Sequence, residues 1–232
     1  MAETSGNTPP KSEDLFVSAV RTFCVSVDKN LTDVHRLIVL HRRLSGPGQG
    51  RRSLGHLTRG GLLLLCAAWE RYVETVLLSG GEALANRLTS YNSLPQTPRQ
   101  KLIDHVNHNG TSWTPADLSG NQWRTIYLDN MKVIIGKLHN PKHYKIKPLF
   151  DNFLGITDIG AAWTSGINII DDFVELRGEV AHRGGQSRYV KFPVLVKYET
   201  VVTRYVRETD NFLSDSLRLL VQPQARPWNR IL

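Results

Sequence analysis

Cysteine is nearly missing from this chain. Its 232 residues hold two, Cys24 and Cys66, each within an apolar stretch where a reduced thiol behaves as a small hydrophobe. Neither a disulfide framework nor a cysteine-built zinc site is expected at that count. Long apolar runs are missing too. The densest, Leu62 to Trp69, stops at Glu70 and Arg71, far short of the roughly 20 residues that span a bilayer, so no membrane partner is expected. The opening MAETSGNTPPKSED has no basic segment followed by an apolar one; a secretory signal is not expected, and the cytoplasm is the natural location. The stretch SGPGQGRRSLG at 45–55 is glycine-rich and basic but lacks G-x-x-x-x-G-K-[ST], which argues against a phosphate-cradling loop. Alternation of β-branched residues is absent as well. VKFPVLV at 190–196 comes nearest, and Pro193 demotes it. Acid is the scarcer charge, 21 side chains against 29 basic ones; the formal +8 favours an anionic partner such as nucleic acid.

What is present is helical periodicity, in a chain whose 41% hydrophobic content suffices for a core. Residues 1–11 read as a disordered leader, with Ser12 as the N-cap of the first helix. Leu15, Phe16, Ala19, Val20, Phe23, Val27, Leu31, Val34, Leu37 and Ile38 recur at helical spacing, predicting one long amphipathic helix to Leu44 with a break near Asp28. A second helix from Leu57 to Ser79 is apolar almost all round in its first half and should be central. Shorter helices are expected over 81–91, 98–108 and 121–138. NPKHYKIKPLFDNFLGI at 140–156 is basic first and apolar last; further helices are expected from Trp163 to His182 and from Val196 to Leu220. Residues 221–232 contain two prolines and should wrap the surface or move. The fold class is an all-α bundle, a single domain over 12–220 without internal repeats.

One short pattern carries chemistry. R-x-x-x-x-H occurs at Arg36…His41, Arg51…His56 and Arg177…His182, where 19 arginines and eight histidines would produce about two-thirds of a match by chance. Context must select among them. The first lies inside a basic helix end and the second spans the glycine-rich loop. The third comes after Ile167, Ile169, Ile170, Phe173, Val174 and Leu176, which can hold an arginine rigidly, and precedes Gly184 and Gly185. On a straight helix five residues turn about 140° and rise about 7.5 Å, so Arg177 and His182 do not share a face. The arginine must reach, the helix must end early, or a symmetry mate must complete the site. His105 and His108, three apart, lack an evident third metal ligand and read as surface residues.

RGEVAHRGG, placed late in the chain, resembles the hallmark of the HEPN superfamily, an arginine followed after four to six residues by histidine in a helical bundle. AAWERYVETVLL at 67–78 is similar to an early helix of these domains, and LHNPKHYKIKPLFDNFLGI at 138–156 to the segment ahead of the motif in the RiboL-PSP type. The resemblance implies a metal-independent endoribonuclease acting on RNA as a two-fold dimer, with Arg177 and His182 catalytic and no cofactor. A histidine suits proton transfer near neutral pH, and an arginine stabilises charge on phosphate. A C2 axis would bring two of each together. Glu175 and Glu179 could orient a histidine. Lys142, His143, Tyr144, Lys145, Lys147 and Arg183 could guide substrate, as could Arg42, Arg43, Arg51, Arg52 and Arg59. The resemblance also implies a setting in bacterial stress response or phage defence, with an antitoxin or defence-system partner. Many members carry Asn, Asp or His directly after the arginine, where this chain has Gly178; Gly184 stands where toxin members carry a modifiable tyrosine. Two other readings remain open: a catalytically silent HEPN module that binds RNA or a protein, marked by Gly178, and a purely structural bundle.

Overall fold

The computed structural model describes residues 25–45, 54–108, 112–183, 190–220 and 226–231. The leader at 1–11, Ser12, Cys24, Arg51, Arg52 and Gly184 lie outside the described residues. Seven α-helices run through the described residues, with no strand among them: α1 (Val25–Leu44), α2 (Gly55–Arg87), α3 (Gln96–Asn107), α4 (Gln122–Ile135), α5 (His143–Leu154), α6 (Asn168–Arg183) and α7 (Phe192–Leu220). The fold is all-α.

Helix α2 is the spine, about 50 Å long at 1.5 Å per residue. Leu62, Leu65, Trp69, Val76, Leu77 and Leu84 on it are completely buried. Apolar residues on every side let α1, α4, α5, α6 and α7 all pack against it. It joins two helices that the sequence reading separates near residue 80. Gly80 and Gly81 do not break it but thin it: a Cβ at Gly80 would lie 2.9 Å from Leu154 Cδ1, and one at Gly81 would collide with Met131 Sδ. The pair is the place where α4 and α5 come closest.

Helix α7 runs parallel to α2, since Gly61 lies under Leu195, the Tyr72 hydroxyl donates to the Val206 carbonyl at 2.9 Å, and Gly80 faces Leu217. It begins at Phe192, four residues before the expected start. Pro193 opens it, because a first-turn residue needs no backbone donor. Helix α6 runs antiparallel to α7, with Phe173 against Tyr198 at 5.1 Å and the Tyr205 hydroxyl donating to the Gly166 carbonyl at 2.5 Å. It starts at Asn168, later than Trp163, because Trp163 is spent on the core. Its indole stacks on Tyr205 at 4.8 Å and donates to Thr209 Oγ1 at 2.8 Å.

Helix α5 occupies a stretch for which periodicity set no helix. Pro148 lies inside it on the exposed side, where water solvates the group left without a bond, while Ile146, Phe150, Phe153 and Leu154 are buried. Gly155 ends it at φ 70°, the Ile156 amide bonding back to the Phe150 carbonyl at 3.2 Å. Residues 226–231 lie along α7. Asn211 exchanges two hydrogen bonds with the Ile231 backbone, at 2.9 and 2.7 Å, and the Trp228 indole donates to the Asp210 carbonyl at 3.2 Å.

Candidate active site

Arg177 lies on the core-facing stripe of α6. Ile170, Phe173, Val174 and Val180 are buried, and position 177 falls in register with them at helical spacing. A guanidinium resists full burial without partners. Arg177 is accordingly half-buried, and its Nη1 turns outward to donate to Asn140 Oδ1 at 3.1 Å. Its charge also reaches the spine. Burial pushes the Cys66 thiol up to about 11, Arg177 opposing that rise and Glu70 adding to it.

His182 is exposed in the last turn, off the stripe. Because α6 continues to Arg183, the helix does not end early enough to swing His182 back, and the arginine turns toward Asn140. No contact joins Arg177 to His182 within one chain. The Arg183 side chain lies outside the described residues.

The other two pairs have different surroundings. Arg36 pairs with Asp33 at 3.1 Å on the surface of α1, and the His41 ring stacks on Phe192 at 4.1 Å, its partial burial lowering its pKa. His41 thus fastens the end of α1 to the start of α7. The Arg42 guanidinium lies 5.9 Å from the same Phe192 ring. His56 is exposed at the start of α2, and Arg51 lies outside the described residues.

The basic segment ahead of the motif is mostly turned inward. Lys142 Nζ bonds Glu175 Oε2 at 3.0 Å, which holds the ammonium above its usual range. Lys145 Nζ donates to the His139 carbonyl at 3.0 Å. His143 is buried and sits edge-on to Trp163, 5.7 Å between centroids, so it belongs to the core and is not a substrate contact. Tyr144 and Lys147 do face solvent. Glu175, occupied by Lys142, contacts no histidine among the described residues. Glu179 joins Asp172 and Glu175 along a cleft of about 540 Å³ between α6 and α7, whose carboxylate edge makes it a poor seat for a phosphate backbone.

Contacts between distant segments escape periodicity. Asp171 accepts from the His143 amide at 2.6 Å and so caps α5 from α6, and His139 Nδ1 lies 3.9 Å from Glu70 Oε1. His105 and His108 line a smaller pocket of about 260 Å³ with Lys101 and Asp104. Burial first, and then the neighbouring His108, lower the pKa of His105. Among the described residues no group of three or more His, Cys, Asp or Glu is placed to hold a metal ion, and no helix is long and apolar enough to cross a membrane.

Comparison with curated proteins and comparison with solved structures each find no match. A family model described as RiboL-PSP-HEPN matches residues 30–215, a span that takes in α2 to α6 whole and most of α1 and α7, with Arg177 and His182 inside it. HEPN domains often dimerise and bind RNA, and many are ribonucleases. This all-α chain belongs to the RiboL-PSP-HEPN family.

Proposed function

We propose that the protein is a metal-independent endoribonuclease whose site is composite, two copies meeting so that Arg177 and His182 from each come together. The observation that carries this reading is the geometry of α6. An anchored, half-buried arginine and an exposed histidine stand on different faces of one unbroken helix, so a second copy is the economical way to unite them. An isologous C2 contact through the end of α6 apposes the same patch twice.

The chemistry uses the RNA's own 2′-hydroxyl. One histidine takes its proton as the oxygen attacks the adjacent phosphorus, the arginines stabilise the charge on the phosphorane, and the second histidine protonates the departing 5′-oxygen. The products are a 2′,3′-cyclic phosphate and a 5′-hydroxyl. A bacterial stress-response or phage-defence setting, and an antitoxin or defence-system partner, rest on the family resemblance alone. Purified protein incubated with total RNA in excess chelator should cut it and leave those ends. Strict dependence on added Mg²⁺ in a nuclease-free preparation would remove this mechanism. Position 178 favours a second reading, a silent RNA-binding module, because glycine offers no side chain beside the arginine. Binding without cutting by every RNA offered would establish it.

A further inference from the structure

Resting on the ribonuclease reading, we infer that Asn140 is the positioning residue for Arg177: it holds the guanidinium in place without cancelling its charge. Residues 139–142 form a strap between α4 and α5, and it is fastened along its length and at its junction with α5. Lys145 Nζ grips the His139 carbonyl at 3.0 Å, the Trp69 indole donates to the Pro141 carbonyl at 3.0 Å, Lys142 bonds Glu175 at 3.0 Å and the His143 amide bonds Asp171 at 2.6 Å. Trp69 is completely buried in the spine, so the strap is tied to the central helix of the fold. Asn140 is also the one non-glycine residue at positive φ among the described residues, at 55°. Asparagine tolerates that conformation better than most side chains, and a fixed backbone aims its amide. The amide oxygen meets Arg177 Nη1 at 3.1 Å.

The choice of acceptor has a chemical consequence. Arginine carries five N–H donors in a planar fork. One is committed to Asn140, and among the described residues no other acceptor engages the rest, which remain for phosphate oxygens. A carboxylate at this place would orient the fork equally well but neutralise the charge the phosphorane needs. Glu175 on the same helix is bonded by Lys142, the strap residue two places after Asn140. The strap thus supplies a neutral acceptor and ties up an acidic one.

Two substitutions that keep the backbone accessible test this. Asn140→Gly tolerates positive φ and deletes the acceptor. It should lower kcat about 10- to 100-fold, the scale expected when a catalytic group is slightly misplaced, with KM within about threefold of wild type and an unchanged melting temperature. Asn140→Asp keeps both acceptor and backbone but sets a negative charge against the guanidinium; it should also lower kcat, because the charge the phosphorane needs is partly cancelled, and raise KM, because the added negative charge repels the substrate. Wild-type kcat in Asn140→Gly, wild-type kcat in Asn140→Asp, or an activity loss that merely tracks the unfolded fraction would each overturn the assignment. If the wild type cuts RNA and needs Arg177 and His182 while Asn140→Gly is fully active, this inference alone falls. A wild type that cuts nothing removes the ribonuclease reading, and Asn140 with it.

Discussion

Asp210 should make the stability of this protein fall as pH rises from about 4 to about 7. It is 0% exposed on α7. Burial pushes its carboxyl from 3.8 up to about 7, with the neighbouring Trp228 and Tyr72 donors pulling the other way. The folded chain therefore keeps the proton where the unfolded chain has lost it, and ionisation favours unfolding throughout that window. At about 1.4 kcal/mol per pH unit, the interval corresponds to about 4 kcal/mol lost by pH 7, a large share of the stability of an ordinary domain. Asp210→Asn is neutral at every pH and nearly the same shape. Relative to wild type it should be close to neutral at pH 4 and stabilising above pH 7, by about 10 °C in melting temperature for a chain of this size. Thermal melts of both proteins from pH 4 to 8.5 isolate the effect, because the histidines and surface carboxylates cancel in the difference. A difference independent of pH would refute the reasoning. The variant also serves the nuclease assay, because it removes the stability change of Asp210 from any pH profile of cleavage.

Arg177→Ala and His182→Ala should each abolish cleavage in folded protein, as judged by circular dichroism, whereas His41→Ala should weaken the α1–α7 junction yet leave most of the rate per folded molecule, and His56→Ala should leave most of the rate. Active His182→Ala with inactive His56→Ala would identify another pair as the site. Mixing inactive Arg177→Ala with inactive His182→Ala should restore some activity if the site is shared, and an active, monodisperse monomer would contradict sharing. Gly178→Asn should raise the cleavage rate with little change in RNA affinity, because an orienting side chain acts on the transition state. No atom lies within 4 Å of a Cβ built at Gly178, so the substitution meets no steric obstacle, and an unchanged rate would deny position 178 any orienting role.

The helices that bury one clear stripe were legible in the sequence, and so was the arginine–histidine pattern. The errors have particular causes. Gly80 and Gly81 look like punctuation until Leu154 and Met131, which lie 50 or more residues away, show why side chains are absent there. Pro148 hides α5, and Pro193 hides the first turn of α7, because a proline on an exposed face or in a first turn costs little. Lys142 and Lys145, offered by the sequence as substrate contacts, also bond Glu175 and the His139 carbonyl, partners that nothing local reveals. Asn140 was invisible for the same reason, its partner being 37 positions later. Local spacing sets which face a residue occupies, but its hydrogen-bond partner depends on how distant segments meet.

The spine also bears on how the chain is made. Its buried Tyr72 hydroxyl donates to the Val206 carbonyl, 134 positions later in the chain. At ribosomal speeds of about 5–20 residues per second, the face of α2 that α7 covers therefore waits about 7–27 s for its partner. The arginine–histidine helix, synthesised before α7, has no finished scaffold until α7 has been made.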